Sequence, residues 1–280
     1  MSQHYNMTGH HNMTGHHTGI AGCGHCLGEA ELPIGDRLRG LRPVIVAHGT
    51  RNPHGVAVIA QIAEAVSEKI GCTRTAFVDV LGPTPSEVIG DLDGPAVLVP
   101  AFLASGYHVR RDLPDHVAAA GRADTVVTRA LGPDPAIAGL LRRRLIESGW
   151  RPGDAVVLAA AGSSDESACA QVHLAARQLE ALIGGRVEVG FITTAGPRVP
   201  EVITDLRRSG RRVAVASYLL APGLFHERLH SYGADLVTAP LGADAVIVDL
   251  LVTRMRAAIS PYRHTPAGSS GVRGDAPVRR

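Results

Sequence analysis

Two stretches of this 280-residue chain repeat one order of elements about 115 residues apart, and that repetition restricts the fold more than any single motif. The first stretch opens on Val44-Ile45-Val46-Ala47, an unbroken apolar run suited to a strand buried on both faces. A helix is expected over 55–70, where Ile59, Ile62, Val66 and Ile70 fall along one side. Strands are expected at 75–80, 96–101 and 125–130, and a helix over 134–148 starts with Asp134 as cap and Pro135 in its first turn. Then the order begins again. Strand 155–160 mirrors 44–47 and helix 166–183 mirrors the first helix. Strands at 187–193, 212–218 and 235–239 follow, and a helix over 243–257 closes the set. The interval is too long for a solenoid repeat and fits a duplicated domain. Strands alternating with helices imply parallel sheets with helices on both faces. The expected fold is α/β: two similar domains, 42–150 and 151–260, each a parallel sheet flanked by helices, with a cleft between them.

The two ends have a different composition. Asn6-Met7-Thr8-Gly9-His10-His11 is repeated at once as Asn12-Met13-Thr14-Gly15-His16-His17, and Cys23-Gly24-His25-Cys26 follows. Residues 1–41 lack any hydrophobic period and are expected to be a disordered leader. Six of the chain's 14 histidines lie before residue 30, so this leader either buffers or delivers divalent metal or is passive. Cys23 and Cys26 have no second ligand pair at a zinc-finger spacing, which argues against a structural zinc site. Residues 261–280, rich in Gly, Ser, Pro and Arg, read as a flexible tail.

Bulk properties exclude several classes of function. A net charge of +2 gives no electrostatic footprint for nucleic acid. No apolar stretch is long enough to cross a bilayer, and the first residues lack the apolar centre of a signal peptide. Four cysteines do not make a disulfide framework in a chain of this size. A cytoplasmic location, with no membrane partner, is the expectation.

Open parallel sheets bind ligands in the crevice beyond the carboxyl ends of their strands. Three side chains of the first half fall there: His48 after the first strand, Asp79 at the end of the second and His108 just after the third. Singly, each residue is equally at home as a cap or a hydrogen-bonding group. Together, two imidazoles and a carboxylate on one sheet edge make a partly filled site for a divalent transition metal. An open coordination sphere lets the ion leave again. A His-Gly pair also suits phosphohistidine chemistry, but that needs an arginine just before the histidine to clamp phosphate, and Ala47 stands there. No Gly-x-Gly-x-x-Gly follows a strand, so a dinucleotide fingerprint is absent.

Val46-Ala47-His48-Gly49-Thr50-Arg51, together with Phe102-Leu103-Ala104-Ser105-Gly106-Tyr107-His108, Asp112 and Pro114, resembles the sirohydrochlorin chelatase family. These are the class II relatives of ferrochelatase that insert iron or cobalt into sirohydrochlorin. The resemblance covers roughly residues 42–258, including the duplicated form. It implies that His48 and His108 bind metal and catalyse insertion. Asp79 stands where many members carry an acidic residue, commonly Glu. The second half departs from the pattern: Ala161-Gly162-Ser163-Ser164-Asp165 replaces the first motif, and Thr193 falls near the place of Asp79. His226 matches His108, either as a cleft residue, with Arg228 beside it, or as a helix-start residue without catalytic weight. The second domain is thus expected to be a wall or lid.

Insertion exchanges two pyrrole protons for a divalent ion. Neutral imidazole is both a ligand and a proton acceptor, and Asp79 is expected to stabilise the imidazolium or the partly dehydrated ion. The substrate's peripheral carboxylates suit arginine forks, making Arg51, Arg110 and Arg111, with His226, the candidate substrate contacts. The resemblance implies no tightly bound cofactor, with Fe²⁺ (slightly favoured) or Co²⁺ as substrate, in siroheme or cobalamin synthesis. A monomer is expected, because the duplicated chain builds its own cleft. A carrier of metal or tetrapyrrole using the same cleft is the competing expectation.

Overall fold

The computed structural model describes residues 40–259. The leader, apart from its last two residues, and the tail lie outside the described residues. Within them the chain runs β1 (Arg42–Ala47), α1 (Pro53–Ile70), β2 (Arg74–Phe77), α2 (Pro85–Gly90) and β3 (Ala96–Pro100). A π-helical turn (His108–Asp112) leads into α3 (Leu113–Ala119), followed by β4 (Thr125–Val127) and α4 (Pro135–Glu147). The second half has β5 (Ala155–Ala160), α5 (Glu166–Ile183), β6 (Val187–Phe191), α6 (Val199–Arg207) and β7 (Val213–Tyr218). It ends with α7 (Leu224–Ser231), β8 (Leu236–Val237) and α8 (Ala245–Ile259).

The strands form two four-stranded sheets of orders β2-β1-β3-β4 and β6-β5-β7-β8, with every pairing parallel. The α/β architecture with two similar sheets is as expected. Strand alternation divides the side chains between two environments. Ile45 and Ala47 of β1 enter a large inner core, while Val44 and Val46 face an outer cluster with Val88 and Ile89 of α2 and Leu113 of α3. In the second sheet Val156 and Leu158 point inward, and Val157 and Ala159 face Val202 and Ile203 of α6. The inner core takes Ile62 and Val66 from α1, Leu140 and Leu141 from α4, Leu179 from α5 and Leu251 from α8. One layer of helices therefore lies between the sheets, and both sheets share it.

The halves interlock within that layer. Helix α4, from the first half, packs on β7, and α8, from the second, packs on β3 and α1. Arg254 of α8 reaches the Asp134 carboxylate at the start of α4 at 2.8 Å, with both side chains largely buried. Asp134 also accepts from the Ala136 N–H, capping α4 as its sequence predicts. Strand β4 ends at Val127 and β5 begins at Ala155, but the last helix of each half covers the other half's sheet.

Local differences from expectation have local causes. Strand β2 stops at Phe77, because Phe77 N–H turns to the Pro83 carbonyl and Asp79 N–H to the His48 carbonyl. Asp79 therefore lies two residues past the strand, in a turn where Val80 has φ 68°. Helices α2, α3 and α6 carry no expectation from the sequence, and α7 enters it only through the helix-start alternative for His226. Spans of six to nine residues show too few turns for a 3.6-residue period to stand out.

Candidate active site

The order β2-β1-β3-β4 reverses direction between β1 and β3, so the loops that follow these two strands splay apart and leave a crevice. His48 follows β1 directly. Its neighbour Gly49 has φ 95°, and a Cβ there would come within 2.1 Å of the Asp79 carbonyl oxygen. Only glycine permits this close approach, and the turn it makes leaves the His48 ring exposed at the sheet edge. His108 opens the π-helical turn after β3. The two rings meet edge to face, with centres 4.6 Å apart and planes at 83°. Two imidazoles holding one ion at ordinary metal–nitrogen lengths have ring centres roughly 4.5–5.3 Å apart. The pair is thus spaced to share an ion.

Asp112 lies one turn beyond His108, its Oδ2 2.5 Å from His108 Nδ1. A carboxylate there accepts the Nδ1 hydrogen and leaves Nε2 as the free lone pair, the outer-shell arrangement that fixes a ligand's tautomer and aim. Asp112 stands in the second motif, where the sequence alone gives it no role. The i,i+4 spacing from His108 was the available signal. Asp79 does not join the histidines: its carboxylate accepts from the Val80 N–H at 2.7 Å, and it does not line the cleft. Among the described residues no group of three or more His, Cys, Asp or Glu forms a metal cluster.

The arginines separate. Arg51 lines the cleft, is exposed, and forms no salt bridge among the described residues. Arg110 turns away: Nε donates to the Ser105 carbonyl, and its guanidinium reaches Ser167 Oγ and, at 3.6 Å, Asp165. It ties the first half to the cap of α5. Arg111 is exposed and does not line the cleft.

The cleft, about 850 Å³, is walled by both halves. Its second wall repeats the backbone of the first and changes the side chains. Thr193 N–H bonds the Ala161 carbonyl, as Asp79 N–H bonds that of His48, so Ala161 and Thr193 hold the corresponding places. Thr193 Oγ1 donates to the same Ala161 carbonyl at 2.7 Å and cannot serve an ion as a carboxylate would. His226 lines the cleft from α7, with Nε2 3.0 Å from the Thr238 carbonyl oxygen. Burial holds its pKa below the ordinary imidazole value, partly offset by that bond. Arg228 is exposed and lies outside the lining. Across the mouth, Asn52 Nδ2 donates to Glu227 Oε1 at 2.9 Å; deeper in, the buried Tyr218 Oη donates to the Leu103 carbonyl at 2.9 Å.

Val80, Tyr107, Leu224 and Phe225 are exposed large apolar side chains, and all four line the cleft. Apolar surface gathered at one concavity marks a ligand site. No sequence signal announced this rim, because only the fold decides which apolar residues remain exposed. Among the described residues, no helix is long and apolar enough to cross a membrane.

The family model CbiX matches residues 42–148 and again 155–258. The sirohydrochlorin cobaltochelatase of Methanococcoides burtonii is 34% identical over 76 residues, which cover 25% of this chain and 58% of the relative. The chain thus spans little more than half the length of that relative. The sirohydrochlorin cobaltochelatase of Methanopyrus kandleri is 28% identical over 135 residues, 38% of this chain and 94% of the relative. Among solved structures, SirB from Bacillus subtilis with Fe³⁺ aligns with a TM-score of 0.69 at 21% identity, covering 80% of this chain and 97% of that one. The structure of CbiX, described as the terminal enzyme for biosynthesis of siroheme in denitrifying bacteria, gives 0.59 at 22% identity, covering 78% and 99%. At such identities the structural likeness speaks for the fold alone. With its model matched once in each half, this chain belongs to the CbiX family of sirohydrochlorin chelatases.

Proposed function

We propose that the chain is a sirohydrochlorin chelatase, inserting Fe²⁺ or Co²⁺ into the tetrapyrrole in the cleft between its halves, with neither ion a resident cofactor. The observation that carries this reading is the facing pair His48 and His108, spaced for one ion at the mouth of an apolar cleft. The names of the relatives, cobaltochelatases among the curated proteins, support the reaction class. The cleft offers Val80, Tyr107, Leu224 and Phe225 to the faces of a flat macrocycle, and Arg51 to a peripheral carboxylate. His48 and His108 hold the arriving ion through neutral nitrogens. As pyrrole nitrogens displace them, the freed imidazoles accept the two pyrrole protons. Asp112 keeps the His108 ring aimed through both stages. Asp112 thus takes the supporting place expected of Asp79. Arg110 and Arg111 lie outside the cleft lining, and His226 belongs to the second wall.

The test is turnover. Purified protein with sirohydrochlorin and Fe²⁺ or Co²⁺ shifts the macrocycle's absorption faster than the spontaneous reaction, and His48→Ala removes the excess rate. An unchanged rate in His48→Ala would overturn the assignment. Competition between the two ions in one assay decides which is the better substrate.

A further inference from the structure

Helix α7 contains His226-Glu227-Arg228-Leu229-His230, a His-Glu-x-x-His run that the chelatase reading leaves unused. This spacing sets two imidazoles one turn apart on the same helix face, which is how it serves zinc sites. Here the rings stand edge to face at 87°, with centres 4.9 Å apart. That separation falls inside the same roughly 4.5–5.3 Å window for two imidazoles on one ion. It is within a few tenths of an ångström of the His48–His108 spacing of 4.6 Å.

The second observation concerns the other ring nitrogen. His226 Nε2 lies 3.0 Å from the Thr238 carbonyl oxygen. A carbonyl can only accept, so Nε2 carries the hydrogen and Nδ1 is left as the ligand atom. Bonds of this kind orient metal-binding histidines and fix their tautomer. His108 is arranged in the opposite sense, with Nδ1 bonded to Asp112 and Nε2 free. His230, one turn on, is exposed to solvent.

We propose that His226 and His230 form a second binding site for a divalent transition-metal ion, at the edge of the cleft on the second half. Among the described residues no third His, Cys, Asp or Glu completes a cluster, so water fills the remaining positions and the ion exchanges readily. The intervening Glu227, the general base in hydrolytic sites of this spacing, accepts from Asn52 Nδ2 and is held at the cleft rim. With a tethered carboxylate and two protein ligands, the site binds metal without supporting hydrolysis. The inference does not rest on the chelatase reading, because it concerns the ion alone.

The test is a Zn²⁺ titration of the full chain, followed by NMR of histidine ring resonances assigned by substitution. This separates the site from other histidines that take up zinc. The expected result is that the His226 and His230 signals move together in one saturable step. In His230→Gln, an exposed change that spares the fold, the His226 signal should respond only at zinc concentrations at least about tenfold higher, the loss of one of two ligands. The step should persist in the His48→Ala/His108→Ala double variant. Signals that do not move, an unaltered His226 response in His230→Gln, or loss of the step in the double variant would each overturn the proposal.

Discussion

The two halves share a backbone and part company at its chemistry. After β1 the chain reads His48-Gly49, and after β5 it reads Ala161-Gly162. Both glycines take positive φ, 95° and 106°, and a Cβ on either would lie 2.1–2.3 Å from a carbonyl oxygen of the neighbouring turn. The turn is thus a requirement of the parallel sheet in both halves, while the imidazole belongs to one. The surviving pair, His108 and His226, differs in its tether: an acidic side chain in the first half, a backbone carbonyl in the second. The carboxylate tether fixes Nδ1 of His108 as the hydrogen-bearing nitrogen and leaves Nε2 towards the cleft. The carbonyl tether fixes the opposite nitrogen of His226, and burial holds that ring towards its neutral form. The difference teaches that the scaffold can be kept while the work at its edge is divided.

The largest expected effect breaks the interlock between halves. Arg254→Ala leaves the Asp134 carboxylate without its buried partner and should cost about 3–5 kcal/mol in urea denaturation. Both halves should then unfold in one transition, since each sheet is covered by the other half's last helix. Next, Gly49→Ala and Gly162→Ala should each lose about 1–3 kcal/mol from the strained turn. Only Gly49→Ala should also lower turnover per folded molecule, because it displaces His48. Equal turnover losses would show that the halves are less divided than proposed. Asp112→Asn should retain the fold and reduce metal affinity or turnover about 10–100-fold, measured as separate kcat and KM effects.

The smallest effect is a pH slope. The folded pKa of His226 is depressed, so below about pH 6.5 the unfolded chain takes up a proton that the folded one does not. Stability is therefore full above that value and falls as the pH drops through it, until the folded-state pKa is reached. In His226→Gln this component of the slope, followed by thermal unfolding from pH 7.5 to 5, should vanish.

Much of this was legible before any coordinates. Val44–Val46 and their counterparts in β5 announced strands buried on both faces, since a strand covered on each side must be apolar throughout. Asp134-Pro135 announced a helix start, because a cap and a fixed φ act locally. His48 and His108 could be placed on one edge because parallel strands end together. What failed did so for distance or brevity. Asp79 was expected to face the histidines, but it lies in a turn no local signal gave, outside the cleft lining, with Oδ1 accepting from the Val80 N–H. Arg110 was expected at the substrate and instead reaches across to Ser167.

The sequence by itself determined the duplicated α/β pattern, the pairing of His48 with His108 and the loss of their counterpart at Ala161. Each depends on periodicity or on position relative to a strand end, and both are written along the chain. The tertiary structure alone decided that the last helices cross between sheets, that Asp112 aims His108, and that His226 and His230 stand at an ion's spacing. Those facts depend on distances between side chains once packing has set backbone turns and rotamers, and linear spacing does not contain them.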